Sequence, residues 1–320
     1  MPLDYSYENV KRALVDMHEI SLDVPPYPQL NNFIEIYLRP LEAEKCLSYN
    51  RGLFFLSLDK IDCLNKASIS IREAEDAIRV VRDLGLVFNA LKAPVTGPFT
   101  LASRVYIDSA DRGLTATCLA KKDLVLEVFS KFVARLIDHV IHLGYNIVFI
   151  DEPVFNYIIG QKKILFGYSE QDIVEVLSRL TSKANIEFGI HVCGRLNQRI
   201  VELLLEVPRI RYINIELHDS PSNLDLLNRS LFEKHDKYLA PGIVSAQKAV
   251  VEPVDRALSI LESAYKRVGD RIDLVTGDCG FGGLRGTLGD REKEYEIAVS
   301  KLRIVVETVH RFKKTIGVDL

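Results

Sequence analysis

The most constraining feature of this chain is a regular alternation of short apolar runs and longer helical patterns, with chemically reactive residues where the runs end. Runs near 20–24, 51–58, 86–91, 146–150, 186–190, 212–215, 238–243 and 271–276 are rich in Ile, Val, Leu, Phe and Tyr. Such runs, bounded by turn residues, read as buried strands. Between and around them, apolar residues recur at helical spacing over 30–48, 70–84, 122–143, 171–180, 197–205, 223–231, 253–268 and 292–312. Stop and start signals support several helices: Gly85 and Gly144 at C-termini, Ser169 as a cap, Pro253 in a first turn. Eight β/α units in 320 residues favour a TIM (β/α)8 barrel over a doubly wound sheet. A single barrel domain over 1–320 is expected, with an N-terminal helical extension over about 1–19. No linker or fixed-period repeat divides the chain.

Barrels of this kind carry their chemistry at the C-terminal ends of the strands. Asp151, Glu152, His191, Cys193, Glu216 and Cys279 all fall there on this strand assignment. His191 and Cys193 stand at i and i+2 of one strand end, so their side chains face one site. With Cys279 they offer three zinc ligands, and Glu216 offers a fourth. Two thiolates favour zinc over magnesium or calcium. The wide separation of the ligands excludes a zinc finger and suits an enzyme pocket. Carboxylate is the weakest partner in a thiolate-rich shell, so Glu216 is the ligand an incoming thiol would displace. A free thiol of pKa about 8.5 is only about 3% thiolate at pH 7, and zinc binding removes that limit. The chemistry expected is alkyl transfer onto a zinc-activated thiol, with Glu216 and Asp151 as catalytic candidates. His218, by alternation on the same side as Glu216, is a lower-ranked ligand beside Asp219.

The remaining cysteines, Cys46, Cys63 and Cys118, show no CxxC pair or short-spaced framework, and read as buried apolar thiols of a reducing compartment. A net charge of −3 gives no footprint for nucleic acid. No apolar run has the length of a membrane span, and no signal peptide opens the sequence, so a cytoplasmic enzyme is expected.

From about residue 86 onward, five ordered motifs resemble the C-terminal catalytic barrel of cobalamin-independent methionine synthases, in particular their short single-barrel forms. Val95-Thr96-Gly97-Pro98 is similar to the family's TGP loop and Ile150-Asp151-Glu152-Pro153 to its IDEP strand end. His191-Val192-Cys193 resembles the HxC motif, Ile215-Glu216 the IE ligand, and Gly277-Asp278-Cys279-Gly280 the DCG motif. The resemblance implies a zinc cofactor on His191, Cys193, Glu216 and Cys279, and methylation of homocysteine to methionine. It also implies Asp151 on the homocysteine amino group, with Glu152 and Thr96 as further substrate-binding candidates. A related branch that methylates coenzyme M, or another small thiol, is the alternative substrate class. A diverged, non-catalytic accessory barrel is the alternative of a different kind.

Two departures bear on the donor and acceptor. The family's GSFP-like opening corresponds here to Pro25-Pro26-Tyr27-Pro28, so Pro26 replaces the serine that contacts the amino-acid carboxylate. The segment carrying the family's general-acid histidine corresponds to Gly242 through Lys248, with Gln247 at the histidine position. Glutamine cannot protonate a leaving amine, which favours a methylcorrinoid or a methyl-donor protein over methyltetrahydrofolate. Arg285, in the glycine-rich stretch after Cys279, is a candidate for an anionic substrate group.

Overall fold

A computed structural model describes residues 1–107, 109–182 and 186–317. Among these residues eight strands are formed: β1 (Ser48–Asn50), β2 (Leu53–Phe55), β3 (Lys92–Thr96), β4 (Val105–Tyr106), β5 (Ile147–Asp151), β6 (Glu187–Val192), β7 (Ile210–Glu216) and β8 (Tyr238–Gly242). Five of them, β3-β5-β6-β7-β8, make one parallel sheet in chain order. Each crossover carries helix, as parallel neighbours require. The register sets Thr96, Asp151, His191 and Asn214 side by side, so the C-terminal ends of four strands lie level.

One face of the sheet packs into the main core against helices such as Ser130–Leu143 and Glu170–Thr181. The other face closes over a small cluster of Ile147, Phe149, Tyr212 and Ala240, with Val24, Ala90, Tyr238 and Leu274 against it. Gly189 on β6 makes room for that cluster. A Cβ there would sit 2.4 Å from the Phe149 ring. Phe149 in turn stacks on Tyr212, 6.1 Å between centroids.

The flanks extend this curve without regular strands. Pro26 bridges to Lys92 on one side, while Ile272 and Thr276 bridge to Leu239 and Gly242 on the other. Seven parallel segments are therefore aligned, and among the described residues no backbone pair joins 271–276 to 23–27. The run at 51–58 does not supply the eighth. Its centre, β2, pairs antiparallel with β1 and parallel with β4 in a separate three-stranded sheet. The hairpin turns at Arg51 and Gly52, both at positive φ, and only Phe54 of the apolar trio is buried.

Other elements shift against expectation for identifiable reasons. The strand expected at 86–91 forms instead at 92–96 and includes Pro94. The missing Pro94 N–H costs little because β3 has only an isolated bridge on that side. The Pro94 carbonyl accepts the hydroxyls of both Tyr27 and Tyr37. At 20–22 the chain turns, with Ser21 at φ 58°, and pairing begins at Asp23, whose carbonyl accepts from Asn89 N–H at 3.0 Å. The expected helix at 223–231 is a 3₁₀ turn (Pro221–Leu226) followed by a short helix (Arg229–Lys234). The long helix expected from 122 begins as π-helix over Leu124–Phe129. Cys46 and Cys63 are not separate thiols. They form a disulfide across 17 residues of sequence, a spacing that carries no motif, whereas Cys118 is a buried free thiol. No helix among the described residues is long and apolar enough to cross a membrane.

Candidate metal centre

β6 ends by delivering His191, and two residues later Cys193 faces the same way. His191 Nε2 lies 2.9 Å from Cys193 Sγ, and Cys193 Sγ lies 3.6 Å from Cys279 Sγ. The three donor atoms fall within 4.8 Å of one another. Two sulfurs at about 2.3 Å from one tetrahedral zinc stand about 3.8 Å apart, so the sulfur spacing already suits an ion between them. Buried His191 Nδ1 has no hydrogen-bond partner among the described residues.

Cys279 reaches this point through its neighbour. The buried Asp278 carboxylate accepts from the backbone N–H groups of Leu217, His218 and Asp219 at 3.0, 3.0 and 2.6 Å. Its own N–H donates to the Val244 carbonyl at 2.9 Å. A Cβ on Gly242 would lie 2.5 Å from Asp278 Cα, so the end of β8 must be glycine for the Cys279 loop to settle. Asp278 thus ties the loops after β7 and β8 to the cysteine. Motif reading misses this role because an acidic residue beside a metal ligand looks like another ligand candidate, not a backbone clamp.

Glu216, at the end of β7, is buried beside the triad but outside the 4.8 Å group. It accepts from Ser220 Oγ at 3.3 Å. Burial pushes its carboxyl up, against the Gly194 N–H and His191. The sulfur pair is split: the hydrogen bond from Cys193, with His191 behind it, holds the Cys279 thiol well below its ordinary range. The same bond pushes Cys193 up. Against the cost of burial, the charge of Cys279 lifts His191 to about 9. Proton and charge are therefore shared across three atoms that a cation would serve better.

Asp151, level with His191 across the β5–β6 register, is partly buried at the same edge. Burial pushes its carboxyl up to about 7, against His191 and Lys92. The next residue faces away. Glu152 is fully buried, and its oxygens accept from Phe99 N, Thr100 N and Thr100 Oγ1 at 2.7–3.0 Å. Its carboxyl, pushed by burial to about 8, is committed to the start of the short helix Pro98–Ala102, so it is a scaffold group and not a free substrate contact. Gly97 is required there, since a Cβ would fall 2.1 Å from Glu152 Oε1. Thr96 is likewise engaged, donating its hydroxyl to the Phe33 carbonyl at 2.8 Å.

His218 does not join the sulfur site. Its ring meets Asp219 at 3.1 Å and Glu252 at 3.7 Å. Arg285 is not free for substrate either: its guanidinium donates to the carbonyls of Leu3 and Leu30 and pairs with Asp4. Gln247 is exposed on the loop after β8, with its N–H held by Ser245 Oγ.

No protein-family model and no curated protein sequence matches the chain. Solved structures do share its fold. A B12-independent methionine synthase from a Shewanella species, in complex with selenomethionine, aligns with a TM-score of 0.62 at 16% identity. The alignment covers 98% of this chain and 89% of that one. A methyltransferase from Methanosarcina mazei aligns with a TM-score of 0.62 at 15% identity, covering 96% and 86%. At these identities the likeness is one of fold: the parallel α/β architecture of this chain is that of those proteins over nearly its whole length.

Proposed function

We propose that this chain is a zinc-dependent thiol methyltransferase built on a (β/α)8-type barrel, with homocysteine as acceptor and methionine as product. The observation that carries the reading is the convergence of His191, Cys193 and Cys279 at the C-terminal edge of the parallel sheet, with Glu216 and Asp151 at the neighbouring strand ends. The fold shared with a methionine synthase that holds selenomethionine, the selenium counterpart of methionine, supports it.

Zinc, when bound, would keep an incoming thiol deprotonated near neutral pH, a gain of about 30-fold in thiolate over the free thiol. His191, Cys193 and Cys279 would hold the ion, and two cysteinates keep a third sulfur electron-rich. Glu216, buried but outside the tight triad, would be the fourth ligand and the one to yield. Asp151 would hold the substrate ammonium. Methyl transfer forms the S–CH3 bond as the donor–CH3 bond breaks, and the departing group keeps the electron pair. An amine leaving group needs a proton, and Gln247 has none to give. A methylcorrinoid leaves without one, so the donor is a methylcorrinoid, free or carried by a partner protein.

Metal analysis with zinc-edge spectroscopy tests the reading. One zinc per chain is expected, gaining one sulfur ligand on addition of L-homocysteine. A protein that takes up no zinc, or a zinc shell unchanged by the thiol, refutes it.

A further inference from the structure

Resting on the amino-acid thiol reading above, the acceptor poses a second recognition problem. Homocysteine carries an ammonium and a carboxylate on one carbon. Asp151 answers the first, and Pro26 removes the serine that would answer the second. A cation facing the same chamber is needed.

The side-chain cations near the strand ends are nearly all engaged. Arg285 is bound to the segments at Leu3 and Leu30. Lys248 pairs with Asp219 at 2.8 Å, and Lys301 with both oxygens of Glu252 at 2.7 Å. Arg195 is exposed, on an outer groove with Gln161 and Asp225.

Lys92 differs from all of these. It opens β3, bridging to Pro26 itself, and its side chain is partly buried on the inner face of the sheet. Its Nζ lies 4.7 Å from the centroid of the Phe149 ring. Among the described residues, no carboxylate pairs with it and no oxygen accepts from it. Burial lowers its pKa, while Asp151 and Cys279 oppose that, so the ammonium lies within the field of both site residues. A partly buried ammonium held only by a ring face is costly unless something completes its shell. Phe149 is two residues before Asp151 on β5, about 7 Å along the strand. Phe149 and Asp151 share one face of β5, so the ammonium over the ring lies below the Asp151 carboxylate on the same side of the sheet.

We propose that Lys92 binds the carboxylate of the acceptor and, with Asp151, makes the site specific for zwitterionic amino-acid thiols. Lys92 thereby takes over from the missing serine.

The test is calorimetric binding of two thiols to the zinc-loaded protein: L-homocysteine, and 3-aminopropane-1-thiol, which is homocysteine without its carboxylate. Wild type should bind homocysteine about 10- to 100-fold more tightly, the worth of a charge-assisted carboxylate contact. K92M should lose that preference by weakening homocysteine alone, and K92R should keep most of it. The wild-type ratio needs no variant, so it stands as a test even if K92M does not fold. Equal binding of the two thiols by wild type, or equal weakening of both by K92M, overturns the assignment and leaves the thiol reading intact. If neither thiol adds a sulfur to the wild-type zinc shell, the thiol reading itself is refuted, and the role of Lys92 with it.

Discussion

Replacing Gly189 by alanine should disturb the candidate metal centre from below. Gly189 lies two residues before His191 on β6, so its missing side chain would point to the same face. The space is filled by Phe149, whose Cζ, Cε2 and Cε1 would lie 2.4, 2.6 and 2.7 Å from the new Cβ. Carbon atoms pack at about 3.5–4.0 Å, so the ring must retreat by about 1 Å. It has little freedom to do so, being 1% exposed and stacked on Tyr212. Overpacking of this kind costs about 1–3 kcal/mol. Denaturant unfolding of G189A should show that loss, and zinc titration should show weaker binding as His191 is displaced. The informative comparison is a cycle with F149L, which withdraws the ring atoms that clash. The double variant G189A/F149L should be more stable than the sum of the single effects by about 1 kcal/mol or more, given the usual size of contact couplings. A G189A loss below about 0.5 kcal/mol, or strictly additive effects, would show that the Phe149 ring is not what reserves this position for glycine.

Three further outcomes are expected. Because burial raises the Asp151 carboxyl to about 7, it is protonated at lower pH and cannot pair with an ammonium. Homocysteine affinity relative to 4-mercaptobutyrate, which is homocysteine without its amine, should therefore rise as pH increases through about 7, and D151N should flatten that profile; an unchanged profile in D151N refutes the pairing. Reduction of Cys46–Cys63, 17 residues apart, should lower stability by about 3 kcal/mol on a loop-closure argument, seen as a lower denaturant midpoint with a dithiol present and no such shift in C46S/C63S. Lys301 donates to both oxygens of buried Glu252, which also accepts from Ser245 N. K301M should consequently cost about 3–5 kcal/mol by removing the ammonium that pairs with a buried carboxylate, with E252Q/K301M recovering part of it in the same unfolding assay.

Strand alternation explains both what the sequence revealed and what it hid. Period-2 geometry alone assigns His191 and Cys193 to one face, and the two side chains do converge. The same geometry sends adjacent residues to opposite sides, and motif reading ignores this. In the pair Asp151-Glu152, the first faces the chamber and the second turns outward to the Pro98–Ala102 helix. In Asp278-Cys279, the cysteine meets the sulfur site and the aspartate secures three backbone N–H groups. A reactive residue type at a strand end is therefore a good sign of location but a poor sign of role. Strand count misleads for a related reason. The run around Leu53–Phe55 has the composition of a buried parallel strand, yet nothing local distinguishes that from one arm of a hairpin, and the turn at Arg51 and Gly52 decides it. The Cys46–Cys63 pairing depends on tertiary approach alone.

The charges of the site argue for a cation more strongly than any single distance. Cys193, Cys279, Glu216 and Asp151 crowd one strand edge, where burial pushes both carboxyls up and the two thiols must share one proton. His191, lifted to about 9 by the charge of Cys279, supplies the local positive charge, and Lys92 supplies another from below. A dication among the donors would replace the shared protons and release them to solvent, so its binding should weaken as pH falls. Even then two thiolates and two carboxylates outweigh one dication, leaving net negative charge unless further cations complete the site. A substrate ammonium against Asp151 is one such charge, while the Lys92 ammonium offsets the carboxylate that the acceptor itself brings. An acceptor without an ammonium would leave Asp151 unbalanced in a buried setting. On these grounds the site discriminates first by charge, and only then by the shape of the thiol.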